Sequence, residues 1–404
     1  MLKTLHNLDI SKIVNKKILL RADLNVPLYK GDITDDSRIK AILPTLEYLI
    51  QNQGKIIIFS HLGRIKTKED LQKFSLNVVS ERLSFCLNQK VVFVSETRGE
   101  LLEKEINNLQ PGSVLVVENT RFEDLNGKKE STNDVQLGKY WASLGDVFVN
   151  DAFGTCHRSH ASNVGIATYI SEKCFGFLVE KEINFLHKIV NSPQRPLIGV
   201  LGGSKVSDKI QIIENLLKKV DFLLIGGGMS FTFAKALGFQ IGKSLLEENE
   251  IPLVKKILLS SEGKKIILPQ DVVCGETFSP ETEAIIYDYD KIPFNMMGLD
   301  IGPKTISIFK HYLMSAKTIV WNGPLGVFEF DKFSQGTRII AQIMSELQNK
   351  TITIIGGGDS AAAVVKFKLG NNFSHISTGG GAFLEYLEEK EMPGLKCIEN
   401  FKES

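Results

Sequence analysis

The 404-residue chain lacks a dominant charge, because 48 Lys and Arg stand against 47 Asp and Glu for a formal net charge of +1. A general nucleic-acid binder needs a basic excess to meet phosphates, so that class is excluded. Nowhere does an apolar run reach the ~18 residues that span a bilayer, and the opening stretch MLKTLHNLDISKIVNKK has no apolar h-region. A soluble protein without membrane partners is expected. The five cysteines (Cys86, Cys156, Cys174, Cys274, Cys397) are few and scattered, without CxxC or Cys/His ligand spacing. Neither a disulfide framework nor a zinc site follows, and reduced cytoplasmic thiols are the reading. Low-complexity segments and short solenoid periods are also missing.

What is present is ordinary core-forming material, 43% hydrophobic and 24% charged. The length exceeds the roughly 250–300 residues at which a single core stops growing, so two domains are expected. Short β-branched runs recur at residues 17–20, 55–59, 91–94, 114–117 and 147–149, and a second series follows at 197–201, 222–225, 265–268, 318–321, 351–355 and 374–376. Helix-length segments separate them. Continuous apolar strands between helices predict parallel sheets covered on both faces, hence an α/β protein with two doubly wound, Rossmann-like domains. Between the series, the amphipathic stretch 177–190 (FLVEKEINFLHKIV), closed by Asn191, Ser192 and Pro193, predicts a linking helix with a hinge near 176–193. The boundaries expected are 1–176 for the first domain, 177–193 for the linker and 194–391 for the second domain.

In open α/β sheets ligands bind beyond the carboxyl ends of the strands. In the first half those positions carry RADLN (Arg21, Asp23, Asn25), SHLGR (His61, Gly63, Arg64), ENTRF (Arg121) and NDAFGTCHRSH (His157, Arg158, His160), with Arg38 shortly after the first. Arginine's planar fork grips phosphate or carboxylate at two points, so this half predicts a basic pocket. For His157 and His160 a structural hydrogen-bonding role is favoured. The second half carries LGGSK (Gly202, Gly203, Lys205), IGGGM (Gly226, Gly227, Gly228), WNGP (Asn322, Pro324), GGGDS (Gly356, Gly357, Gly358, Asp359, Ser360) and STGGGA (Gly379, Gly380, Gly381). Glycines at strand-to-helix turns let backbone N–H groups approach phosphate, so this half predicts a polyphosphate cradle. Asp359 suits a single carboxylate on Mg²⁺, which takes its other ligands from phosphate and water.

Two patterns mislead. GFQIGKS (Gly238 to Ser244) resembles a P-loop but has three residues between its glycines where the motif needs four, and it follows the helical pattern FTFAKAL. Gly356 to Ala361 fits G-x-G-x-x-A after a strand and supports an NAD-dependent dehydrogenase as an alternative. The next strand then ends in STGGG where a Rossmann unit wants an acid, and Asp359 would repel an unmetallated pyrophosphate.

RADLNVP, SHLGR, NDAFGTCHRSHAS, LGGSKVSDKI, IGGGMSFTF, GLDIGPKT, WNGPLGVFE, GGGDSAA and STGGGAFLE together resemble the phosphoglycerate kinase family, in the family order along essentially the whole chain. Cys156 and Ser159 stand where the family commonly has alanine, and Ile65 where it has proline. None of these removes a group assigned to chemistry. The resemblance implies reversible phosphoryl transfer from 1,3-bisphosphoglycerate to Mg-ADP, giving 3-phosphoglycerate and ATP in glycolysis and gluconeogenesis.

It further implies that Asp23, Asn25, Arg38, His61, Arg64, Arg121 and Arg158 hold the three-carbon acid. Gly203, Gly226, Gly227, Leu299, Asn322, Pro324 and Glu329 would line the nucleoside site. Lys205 and Lys209 would serve the phosphates, Asp359 the magnesium, and Gly356, Gly357, Gly358 and Ser360 the phosphate turn. Gly379, Gly380 and Gly381 would receive the phosphoryl group in transit. Implied too are a monomer and a C-terminal segment, 392–404, returning to the first domain. No carboxylate stands out as a general base, which suits a carboxylate acceptor already ionised at pH 7. A non-catalytic nucleotide sensor is the remaining alternative, and the intact set of Arg38, Lys205 and Asp359 speaks against it.

Overall fold

The computed structural model describes residues 2–399, so residues 400–404 of the expected returning segment lie outside the described residues. The chain forms two compact units, one of residues 2–184 and 391–399, the other Phe185–Lys390. The first is built on β1 (Lys17–Ala22), β2 (Lys55–Phe59), β3 (Val91–Val94), β4 (Val114–Val117), β5 (Val147–Asp151) and β6 (Glu172–Phe175), in the spatial order β3-β4-β2-β1-β5-β6. All of its pairings are parallel. Parallel neighbours require crossovers, and helices such as α1 (Ser37–Gln51) supply them. Burial at every position of β4 and β5 is the result, which is why unbroken apolar runs mark these strands.

The second unit repeats the plan with β7 (Leu197–Leu201), β8 (Phe222–Ile225), β9 (Ile266–Ile267), β10 (Thr318–Asn322), β11 (Ile352–Gly356) and β12 (His375–Ile376). Their order, β9-β8-β7-β10-β11-β12, is that of doubly wound nucleotide-binding sheets, with the winding reversing between β7 and β10. Both units are therefore of the expected α/β class. A small antiparallel sheet, with Asp271–Gly275 between Ile285–Asp288 and Met297–Ile301, was not expected. Its outer strand alternates half-buried and exposed residues and presents no continuous apolar run. The edge strand β6, with the sequence EKCF, escaped for the same reason.

The helix expected over 177–190 is α2 (Phe177–Asn191), and the division between the units falls within it, between Asn184 and Phe185. Its apolar stripe is buried through Val179, Ile183, Leu186 and Ile189. At its start, the Val179 N–H donates to Asp151 Oδ1 at 3.0 Å and the Phe177 N–H to Thr45 Oγ1 at 3.1 Å. Asp151 is fully buried, its Oδ2 has no partner among the described residues, and burial pushes its carboxyl up to about 7. A folded value raised above the unfolded one means that the native state holds the proton longer. Stability present in acid is thus lost as pH rises from about 4 through about 7. Asp151→Asn should therefore melt higher than the parent at about pH 8 and nearly with it at about pH 4. A lower Tm at both values would contradict this account.

Candidate active site

At the carboxyl end of the first sheet the chain leaves β1 and turns through Asp23, Leu24 and Asn25. The Asp23 carboxylate accepts from Nη1 of Arg38, which stands in the first turn of α1. Asn25 Oδ1 accepts from the Gly63 N–H at 2.8 Å, tying this segment to the loop after β2. Asn119, fully buried beyond β4, holds that loop from the other side. Its Nδ2 donates to the carbonyls of Leu62 at 2.7 Å and Phe74 at 2.8 Å, and its Oδ1 accepts from the Leu62 and Arg121 N–H groups at 3.2 and 3.1 Å. Arg121 Nη1 donates to the Gly63 carbonyl at 2.5 Å. Asn25, Arg121 and the loop that begins at His61 are thereby tied together, with the Asp23–Arg38 pair joined to them where the Asn25 N–H donates to Asp23 Oδ1 at 3.4 Å. Arg64 follows on the same loop, exposed and without a hydrogen bond or ion pair among the described residues.

Arg158 is exposed, and its Nε donates to His157 Nε2 at 2.9 Å. Since guanidinium has only donors, His157 must accept there, which is the structural role favoured for it. Burial, then the charge of Arg158, pushes His157 down to about 4. Burial followed by Arg21, Arg121 and Arg158 takes His160 down to about 3. The pocket concentrates cationic charge on arginine and keeps its histidines neutral.

Arg21, read as part of this pocket, instead lies fully buried beneath it. Its Nε donates to Ser162 Oγ at 2.8 Å, its Nη1 to the Ala22 carbonyl, and its Nη2 stands 3.1 Å from His61 Nδ1. Ser162 passes the link on, donating from Oγ at 2.5 Å and from its N–H at 2.9 Å to Glu130, which is also fully buried. Burial raises the Glu130 carboxyl and lowers the Arg21 guanidinium, each opposed by the other's charge.

In the second unit the reversal between β7 and β10 is laced by backbone bonds. The Gly202 N–H donates to the Asn322 carbonyl at 2.9 Å, Gly203 to Pro324 at 2.8 Å, Gly226 to Leu201 at 2.9 Å and Gly227 to Leu325 at 3.1 Å. Gly203 has φ +111°, and a Cβ on Gly227 would come within 2.8 Å of its nitrogen, so the close approach requires both glycines. Beside this turn opens a cavity of about 560 Å³. Of the expected residues, Gly203, Gly227, Leu299, Pro324, Glu329 and Asp359 line it. Phe231, Lys243, Leu245, Phe278 and Val327 line it too, and the sequence had assigned none of them a role there. Lys366 Nζ steadies the Glu329 segment by donating to the carbonyls of Phe328 and Glu329 at 2.9 and 3.1 Å.

The other expected nucleotide residues stand outside the cavity wall. Lys209, just before α3 (Ile210–Lys219), donates to Asn322 Oδ1, and Asn322 Nδ2 donates to the Gly356 carbonyl at 2.7 Å. Gly357 (φ +92°) precedes α4 (Gly358–Lys366). Ser360 is fully buried, and its Oγ accepts from the Gly323 N–H at 2.6 Å, so its side chain braces the turn without facing it. Gly379 donates to Ser377 Oγ at 3.1 Å, and Gly380 and Gly381 lead into α5 (Gly381–Leu387). Lys205 is exposed and forms no ion pair among the described residues.

Asp359, second residue of α4, is exposed and makes no hydrogen bond among the described residues. No group of three or more His, Cys, Asp or Glu gathers to hold a metal among the described residues. One free carboxylate beside that cavity fits magnesium, which uses one or two carboxylates and completes its shell with phosphate oxygens and water. The glycine turn before α4 follows the fifth strand of its sheet, whereas the dinucleotide fingerprint follows the first. That placement removes the support for the dehydrogenase alternative.

A nucleotide-type sheet with a cavity at its switch point, and a second doubly wound unit carrying a cluster of arginines beyond its strands, mark an α/β protein suited to anionic, phosphate-bearing ligands. The comparisons name which one: the family model described as Phosphoglycerate kinase matches residues 8–390. A phosphoglycerate kinase of Onion yellows phytoplasma is 67% identical over 99% of this chain and 100% of its own, and one of Fusobacterium nucleatum is 55% identical over the same shares. Among solved structures, phosphoglycerate kinase from Coxiella burnetii superposes with a TM-score of 0.86 at 40% identity, covering 98% of this chain and 99% of that one. The enzyme from Pyrococcus horikoshii gives 0.84 at 31%, covering 99% and 98%. The chain belongs to the phosphoglycerate kinase family and is a phosphotransferase.

Proposed function

We propose that the chain transfers the acyl phosphate of 1,3-bisphosphoglycerate in line to Mg-ADP, reversibly, with a carboxylate as the acceptor in reverse. One observation carries the choice of acceptor: the pocket's Asp23 and two of its histidines already accept from arginines. Asp23 accepts from Arg38, His61 Nδ1 from Arg21 and His157 Nε2 from Arg158. An alcohol acceptor would need a base, whereas a carboxylate of pKa roughly 4 needs none. Transfer then rests on positioning and on neutralising charge at the equatorial oxygens.

In this reading Asp23 and Asn25 take the substrate hydroxyl, and Arg38, His61, Arg64, Arg121 and Arg158 take its phosphate and carboxylate. Gly203, Gly226, Gly227, Leu299, Asn322, Pro324 and Glu329 hold the nucleoside. Lys205, Lys209, Gly356, Gly357, Gly358 and Ser360 serve the phosphates, and Gly379, Gly380 and Gly381 the group in transit. Asp359 would hold Mg²⁺, which supplies charge neutralisation between the nucleotide phosphates when bound. Because acid and nucleotide sites belong to different units, transfer requires them to meet during turnover. The segment 176–193 is where we put that hinge. Closure also excludes water that would hydrolyse the acyl phosphate. The enzyme acts in this reading as a cytoplasmic monomer, with its five free cysteines reduced.

A coupled assay of ATP formation from ADP and 1,3-bisphosphoglycerate, with and without Mg²⁺, tests the reading. Magnesium-dependent ATP is expected. NADH binding with ADP ignored would overturn it.

A further inference from the structure

His61 sits at 7% exposure in the arginine pocket with its Nδ1 3.1 Å from Arg21 Nη2. Guanidinium has five N–H donors, no acceptor, and does not give up its proton in proteins. Nδ1 must therefore bring the lone pair, and the ring hydrogen must be on Nε2, which makes no hydrogen bond among the described residues. Arg21 cannot turn to suit another tautomer, because Ser162 and the Ala22 carbonyl fix its other nitrogens and Glu130 fixes Ser162. The charged and titratable groups facing His61 are Arg21 from β1, Arg38 from α1, Arg121 from beyond β4 and His160 from beyond β5. All four oppose protonation of the ring. The buried acid of this network, Glu130, accepts from Ser162.

We propose that Arg21 is a positioning residue for this reaction: held by Ser162 and Glu130, it locks His61 as a neutral Nε2–H donor to the oxygens of the anionic three-carbon substrate. The inference rests on the pocket being the acid site. A histidine free to titrate near neutrality would make affinity for the acid change with pH. The locked ring donates one hydrogen bond of constant character, and the arginines supply the charge.

Long-range ¹H–¹⁵N correlation spectra of the full-length, ¹⁵N-labelled enzyme read the tautomer without substrate, so this arm stands even if the proposed activity fails. Expected between about pH 6 and 8 is an unchanging His61 with bare Nδ1 and protonated Nε2. A cationic ring or an Nδ1–H tautomer at about pH 7 overturns the proposal. Arg21→Gln, whose neutral amide can both donate and accept, should raise the KM for 3-phosphoglycerate about tenfold, with kcat changed less than about threefold, and make KM pH-dependent. In a His61→Gln background, whose amide N–H has no tautomer, the same Arg21 substitution should add less than about twofold and no pH dependence. An equal penalty in both backgrounds would mean that Arg21 does not act through His61. If Arg21→Gln does not fold, Ser162→Ala takes its place. Mixed His61 tautomers are expected there, and an unchanged spectrum would refute the lock.

Discussion

Arg38→Ala lowers kcat by about a hundred- to a thousandfold and leaves the KM for the acid within a few-fold. The expectation follows from where the side chain stands. Arg38 is held by Asp23 at the mouth of the acid pocket, with 29% of its side chain exposed against 9% for its partner. Besides touching the bound acid, a guanidinium in that position can meet charge that grows on the transferring group, so its loss costs the transition state more than the ground state. Lys205→Ala is expected to fall by a similar factor, because this lysine is exposed after β7 with no ion pair among the described residues. Arg38→Lys keeps the charge but loses the fork, and should fall between parent and alanine. Steady-state kinetics of the three variants decide it. Near-normal turnover in Arg38→Ala and Lys205→Ala would remove the electrostatic account.

Asp359→Asn gives the second large loss, at least about a hundredfold in kcat/KM for the nucleotide, with a raised requirement for Mg²⁺. The reason is economy of ligands. Among the described residues no cluster of three or more His, Cys, Asp or Glu could hold a metal, and the acids lining the cavity are Asp359, Glu329 and the buried Asp300. Asp300 is committed elsewhere, its two oxygens accepting from the Ile301 and Gly336 N–H groups at 2.9 and 2.7 Å. Burial raises its carboxyl to about 8. A metal titration of the variant, with chelator as the zero point, checks the expectation. If Asp359→Asn retains the parent's Mg²⁺ dependence and rate, the carboxylate is not its ligand.

Much of this was legible because parallel sheets write themselves as uninterrupted apolar runs, and because glycine is demanded where two backbones nearly touch. Val114–Val117 and Leu197–Leu201 are examples of the first, Gly203 and Gly227 of the second. What was illegible depends on pairs distant in the chain. Nothing in RADLN says that Arg21 turns inward, because its partners, Ser162 and Glu130, lie beyond several later strands. Lys243 belongs to the rejected P-loop look-alike yet lines the cavity beside the switch point. The rejection stands, since Gly242 (φ +56°) follows the two-residue strand Gln240–Ile241 and leads into no phosphate-cradling helix. The cavity's apolar wall comes from single residues such as Leu245 and Phe278, and periodicity is silent about those.

The first unit is made from both ends of the chain. The Gly394 N–H donates to the Cys156 carbonyl at 2.8 Å, Asn150 Nδ2 to the Gly394 carbonyl at 2.9 Å, and the Lys3 N–H to Glu399 Oε2 at 3.0 Å. The Asn150–Gly394 bond closes a loop of 244 residues, and because closure entropy grows only logarithmically this separation is thermodynamically cheap. On the ribosome it matters far more. Synthesis runs from the N-terminus, so the second unit, contained in Phe185–Lys390, has its whole sequence before the first receives its last pieces. The unit begun first is therefore the one that must wait, its buried Asn150 and Cys156 carbonyl without these partners until Gly394 has been made.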